Sequence, residues 1–305
     1  MTDSIMRKRR VSRRKVETLI RFTFFIIALA SILTLTLIVL FLVAEGLPIF
    51  SEVSVYDFIF GKYWYPTDSP PDFGIFPMIV ASLAVMALSS SLAIPLGVLT
   101  ALYLAEAASF RVRQWVKPIV ELLAALPSVV IGFFGMVIVA PALQEILGIP
   151  TGLNLFNASL MLAFMSIPTI CSISEDAIFG VPNELREASL ALGATHWETI
   201  ARVIVPASIS GITTAIILGM SRAIGETMVV LMVAGGAAMV PSSIFDPVRP
   251  MPASIAAEMA EAPFRSEHYY ALFATGIVLF IFTMVFNIIA EQISHKYRQV
   301  GAATL

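Results

Sequence analysis

Residues 203–240 read VIVPASISGITTAIILGMSRAIGETMVVLMVAGGAAMV. The stretch is apolar almost throughout and exceeds the ~20 residues with which a helix crosses a bilayer. Its only formal charges are Arg222 and Glu226, close to its midpoint. An Arg at the bilayer centre costs roughly 2.5–3.5 kcal/mol on insertion scales. Residues four apart share a helix face, so the two side chains can pair and share that cost. One reading is a structural ion pair that holds helices together. The sharper reading is a binding site for something charged in a membrane pathway, the default for intramembrane ionisable residues.

Apolar runs of spanning length recur on both sides of this stretch. Upstream they cover 22–43, 73–105, 119–146 and 155–173, and downstream 270–290. Several carry helix breakers: Pro77, Pro95 and Gly97 in the second, Pro127, Gly132, Gly135 and Pro141 in the third, Pro168 in the fourth. Membrane helices tolerate these where neighbouring helices satisfy the freed backbone groups. Hydrophobic residues make up 58% of the 305 and charged residues 13%, which excludes an ordinary soluble domain. The chain is predicted to be an all-α polytopic membrane protein with six transmembrane helices. Its lone Cys171 excludes a disulfide framework, and three scattered histidines (His196, His268, His295) argue against a bound metal.

The connecting segments set the topology. Residues 1–21 carry eight Lys or Arg, a run that suits nucleic acid as well as a membrane surface. The apolar run that follows makes topology the better reading. That run is also longer than the ~7–15 apolar residues of a cleaved signal peptide, so it reads as a retained first helix. Residues 45–72 are polar, aromatic and Pro-rich, including Tyr63-Trp64-Tyr65-Pro66, and suit an interfacial loop. Six spans put both ends on one side. With them fall Arg111, Arg113, Lys117, Arg186, Arg202, Lys296 and Arg298, whereas only Lys62, Arg249 and Arg265 fall opposite. The positive-inside rule then places both termini in the cytoplasm. Trp115 and Trp197 read as anchors at that interface, and Glu121 as an interfacial charge.

Between the fourth and fifth runs, residues 182–206 read PNELREASLALGATHWETIARVIVP. Asn183 ahead of Glu184 and Glu187 predicts a capped helix start. Gly193 breaks that helix, and Thr195 with Glu198 three positions on predicts a capping box for a second one. The result is a helix–turn–helix between two spans. Its apolar and small residues (Ala188, Leu190, Ala191, Leu192, Ala194) suit a docked surface better than open water.

This segment resembles the EAA signature of ABC importer permeases: Glu187-Ala188-Ser189, then Gly193, then Val203, Val205 and Pro206. Ser189, Val203 and Val205 stand where that signature has Ala, Ile and Leu. The resemblance implies a coupling helix, with Glu187, Ala188, Ser189 and Gly193 seating in a groove of a cytoplasmic ATPase. A second segment, Arg222-Ala223-Ile224-Gly225-Glu226-Thr227-Met228, resembles the RAIGETM segment of phosphate importer permeases of the PstC type. Similar likeness holds at 74–79, 95–98, 121–124, 127–135 and 254–258. The type I ABC importer fold is therefore expected. Its parts would be a basic segment 1–21, a first helix and external loop 22–72, a permease core 73–298 containing the coupling segment 182–206, and a tail 299–305.

On that resemblance the chain forms the pathway of an ATP-driven phosphate importer in a bacterial plasma membrane. It would pair with a second permease of the PstA type, an ATPase dimer and an external phosphate-binding protein, within membrane lipid and without nucleic acid. ATP and Mg would sit on the ATPase, and this chain would bind no cofactor. Candidate pathway residues are Arg222, Glu226, Thr227 and Ser128, the last following the Pro127 break. A guanidinium offers a planar fork for two phosphate oxygens, and Glu226 would compete with the anion for it. The chain has no Gly-rich nucleotide loop, since its sole Gly-Lys, Gly61-Lys62, leads into Tyr63. An intramembrane hydrolase lacks G-x-S-x-G and a histidine at compatible depth. A different oxyanion remains as an alternative cargo. So does a secondary transporter built on Arg222 and Glu226, although that class has no need of a docking segment.

Overall fold

The computed structural model describes residues 2–302, with side chains over 17–293. The cations of 7–15, Lys296 and Arg298 lie outside the described side chains, and the last residues of the tail lie outside the described chain. Helix α1 (Thr2–Gly46) contains the first span and touches the rest mainly at its C-terminal end. There Phe41 meets Phe273 edge-on at 5.6 Å. Its remaining apolar side chains, from Leu19 to Leu40, are exposed, the surface expected of a helix solvated by lipid.

The chain then builds one end of the bundle. Helix α2 (Val55–Phe60) starts at Ser54, whose Oγ accepts from Asp57 N–H at 3.1 Å. Strands β1 (Trp64–Tyr65) and β2 (Asp72–Phe73) pair antiparallel, with Trp64 opposite Phe73. Trp64 donates through Nε1 to Glu258 at 2.9 Å, and His268 lies 2.7 Å from the same carboxylate. Arg249 completes the knot. These side chains tie the hairpin to α12 (Met251–Glu258) and α13 (Glu267–Ala302).

Helix α7 (Leu155–Phe179) is the axis of the molecule. In its most apolar window 61% is buried, against 28% or less for the other five spans, so it is the helix the others pack around. It lies between α3 (Phe76–Leu102) and α10 (Val205–Ile224). Ile170 explains the fit: a Cβ on Gly97 of α3 would sit 2.8 Å from its Cγ2, and one on Gly219 of α10 would sit 2.5 Å from its Cγ1. Glycines at both places let three helices close on one branched side chain. The start of α7 is capped by Asn154 and by loop carbonyls, with Leu155 N–H on Asp246 O (3.0 Å) and Phe156 N–H on Ile244 O (2.8 Å).

Three boundaries differ from those expected. The third span is not 119–146. An amphipathic helix α4 (Phe110–Ala124) comes first, the chain turns at Pro127, and the span is Ser128–Leu147. Proline cannot continue the helix behind it. This span comprises α5 (Ser128–Phe134) and α6 (Ala140–Leu147), joined by a π turn whose Gly135 O accepts from Ala140 N–H and also from Asn157 Nδ2 at 3.0 Å. The fourth span continues past 173 to Phe179. The fifth stops well short of Val240.

That fifth span begins in the helix–turn–helix. Helix α8 (Asn183–Ala191) ends before Gly193, whose φ of +85° favours glycine. Helix α9 (His196–Thr199) runs through a π turn into α10. After Ile224 the chain breaks at 225–227 and resumes as a short α11 (Met228–Val233). It then leaves the bundle through Gly235 and Gly236, both at positive φ.

Candidate functional site

The helix–turn–helix forms as its sequence predicts, except at its first residue. Pro182, not Asn183, occupies the cap position of α8, and no side chain caps it. Asn183 is already the first helical residue, because Pro182 holds the extended backbone that precedes the helix. The second cap matches expectation: Thr195 Oγ1 accepts from Glu198 N–H at 3.3 Å, and Thr195 N–H donates to Glu198 Oε2 at 2.9 Å. Ser189 Oγ lies 2.9 Å from Thr199 Oγ1, bracing one helix against the other. Between them opens a hollow of about 560 Å³ lined by Leu185, Ala188, Ser189, Leu192, Gly193 and Val203. Glu187 is exposed beside it, and Leu192 is 89% exposed.

A polar link holds this segment to the transmembrane helices, where Arg186 reaches Glu106 at the end of the second span. Nearby, Glu175 close to the end of α7 meets Arg113 and Lys117 of α4 at 3.2 Å each. Sequence reading counted the cations of these loops and passed over their acids. Glu106, alone in its apolar run, and Glu175, beside Asp176 at the end of another, were the available signal.

The second group of residues sits where α10 ends. Arg222 is in the last turn of α10, and its guanidinium is exposed. Its hydrogen bond is to Thr169 Oγ1 of α7, at 3.5 Å. The expected pairing with Glu226 does not occur. Among the described residues no carboxylate lies within ion-pair distance of Arg222. The reason is local: α10 stops at Ile224, so the four-residue spacing no longer places the two on one face. Glu226 turns instead to the next helix, where its Oε1 accepts from Val229 N–H at 3.3 Å. Thr227 Oγ1 donates to Gly225 O at 3.4 Å within the break.

Ser128 opens α5, half-buried, and no hydrogen bond joins it to Arg222. The two regions still belong to one packed unit, since α5 lies on α11. A Cβ on Gly132 would sit 2.9 Å from Met232 Sδ and 3.2 Å from Val229 Cα. Gly225 has open space at its Cβ position, whereas Gly219 is occupied in packing against Ile170. Thr169 was missed in the sequence because a threonine after Pro168 in an apolar helix carries no signal without its spatial neighbour.

Comparison with known proteins decides the family. Residues 93–299 match the binding-protein-dependent transport system inner membrane component. The chain belongs to that family. The permease is 37% identical over 271 residues to a Bacillus subtilis protein named as probable ABC transporter permease YqgH, with 88% of each chain covered. It is 31% identical to the phosphate transport system permease PstC of Haemophilus influenzae, covering 79% of this chain and 82% of the relative. With PstC of Pasteurella multocida the identity is 32%, over 90% and 91%.

Solved importers share its fold. A MetNI methionine ABC transporter chain superposes with a TM-score of 0.57 at 19% identity, over 71% of the permease and 93% of that chain. A bacterial alginate ABC transporter chain gives 0.60 at 16%, over 88% and 94%. The permease is thus a non-catalytic, membrane-spanning component of an ABC importer. A separate ATPase hydrolyses ATP, and a binding protein delivers the cargo. A secondary transporter driven through an Arg222–Glu226 pair loses both its pair and its class.

Proposed function

We propose that the permease conducts inorganic phosphate, with Arg222 as the cation that the anion meets on its way through. One observation carries this reading: an exposed guanidinium at a helix break inside the membrane-spanning region, held by a neutral hydroxyl and by no carboxylate. A cation within the thickness of a membrane is costly unless something compensates it, and a passing oxyanion does so with two parallel charge-assisted hydrogen bonds. The PstC relatives, at 31% and 32% identity over most of the chain, favour phosphate among oxyanions. The methionine and alginate importers are too distant in sequence to bear on cargo.

In this reading Thr169 steadies the guanidinium, Glu226 and Thr227 shape the break beside it, and Ser128 lines the same region. Residues 182–206 dock into the ATPase through Glu187, Ala188, Ser189 and Gly193, with Leu192 entering the ATPase surface. The companion permease in this reading is of the PstA type, and the cations around 182–206 favour a cytoplasmic position for that end and for both termini in a bacterial cell. The test is uptake of labelled phosphate by the full complex against rising unlabelled phosphate, sulfate and molybdate. Competition by phosphate alone is expected. Displacement by another oxyanion at lower concentration would overturn phosphate as the cargo and leave the importer class intact.

A further inference from the structure

We infer that Arg186 and Glu106 form a clasp that makes the docking helix α8 and the second span move as one body when the ATPase acts. Helix α8 buries none of its own residues. Its apolar tie is Leu185, which packs only partly against the cluster of Leu104, Ile178 and Ile200. A push on α8 would therefore be absorbed locally unless a stiffer link carried it inward.

Arg186 supplies that link. Its Nη1 donates to Glu106 Oε2 at 2.6 Å, and its Nη2 donates to Ile178 O in α7 at 3.3 Å. One side chain thus joins the docking helix to the ends of two transmembrane helices. The side chain of Glu106 is 2% exposed and that of Arg186 22%, so water and salt screen the pair weakly. A planar guanidinium bonded in two directions fixes orientation as well as distance.

The backbone around Glu106 is specialised. The turn 103–107 is a π turn, closed by Ala108 N–H on Tyr103 O at 2.8 Å. Such turns arise mostly as single insertions and concentrate at functional sites. A second π turn, 200–204, follows α9 and packs into the same apolar cluster through Ile200 and Ile204. The clasp thus grips one rewound helix end at Glu106, while the docking segment itself runs into α10 through another. It serves any cargo that the importer carries, so its failure would leave the phosphate reading untouched.

The experiment uses the full complex in lipid nanodiscs with spin labels at Glu184→Cys on α8 and Leu99→Cys on α3, both exposed positions; Cys171 is buried and stays unlabelled. In the otherwise native complex the label separation is expected to hold within about 2 Å between nucleotide-free and ATP-bound states, the scale of small sliding between packed helices. In Arg186→Gln or Glu106→Gln it is expected to change by about 5 Å, a helical turn, as α8 follows the ATPase alone. The reversed pair, Glu106→Arg with Arg186→Glu, is expected to restore the fixed separation. The inference is overturned if ATP changes the native separation by that larger amount, or if either single variant keeps the native behaviour. It is equally overturned if the reversed pair fails to restore it, or if the single variants do not assemble with the ATPase, which would assign the pair to folding.

Discussion

Arg222 and Thr169 illustrate how much depends on a single helix end. Were α10 to continue one turn further, Glu226 would lie beside Arg222 and neutralise it. Because the helix stops at Ile224, the acid caps α11 and the guanidinium rests on a hydroxyl. A long, exposed hydrogen bond of this kind contributes about 1 kcal/mol. Thr169→Val keeps the shape and removes the donor–acceptor, so the phosphate concentration for half-maximal uptake is expected to rise about fivefold, the equivalent of that energy. An unchanged half-saturation, measured with native expression and assembly, would detach Thr169 from the site. The identities of Arg222, Glu226 and Thr227 as the unusual residues of the fifth span were legible in the sequence. Their mutual geometry was not, since an apolar run carries no mark of where the helix within it ends.

At the scale of elements, local rules fared best where side chains act on their own backbone. The capping box of Thr195 and Glu198 and the left-handed Gly193 follow from residues three positions apart or from one residue alone. Segment 182–206 was therefore readable as a helix–turn–helix. Its start at Pro182 was misassigned to Asn183 because both residues suit the place and only the backbone chooses. Thr195→Ala removes the acceptor for Glu198 N–H and is expected to cost about 1 kcal/mol at that cap. Hydrogen exchange reads this directly: the Glu198 amide is expected to exchange about fivefold faster, since local opening sets its protection. Unaltered exchange would mean that packing, rather than the cap, holds α9.

The molecule as a whole is organised by one helix that the sequence does not single out. Six spans were countable from composition and length, as each requires ~20 apolar residues. That α7 lies at the centre depends on which faces meet, and Gly97, Ile170 and Gly219 are unremarkable letters until the helices are placed together. Gly219→Ala puts a methyl 2.5 Å from Ile170 Cγ1, and overpacking of this kind costs typically about 1–3 kcal/mol. A lower midpoint of thermal unfolding in detergent is expected, partly recovered in the double variant with Ile170→Val. Equal midpoints for native protein and Gly219→Ala would show that the interface has slack to spare.

An anion pathway that passes Arg222 can be probed by uptake of radiolabelled phosphate into cells lacking their own phosphate importers. Native complex is compared with Arg222→Ala, and pulldown of the ATPase checks assembly. Uptake is expected to be lost in the variant while assembly persists. Uptake at the native rate by an assembled Arg222→Ala complex would contradict the account and return Arg222 to a structural role.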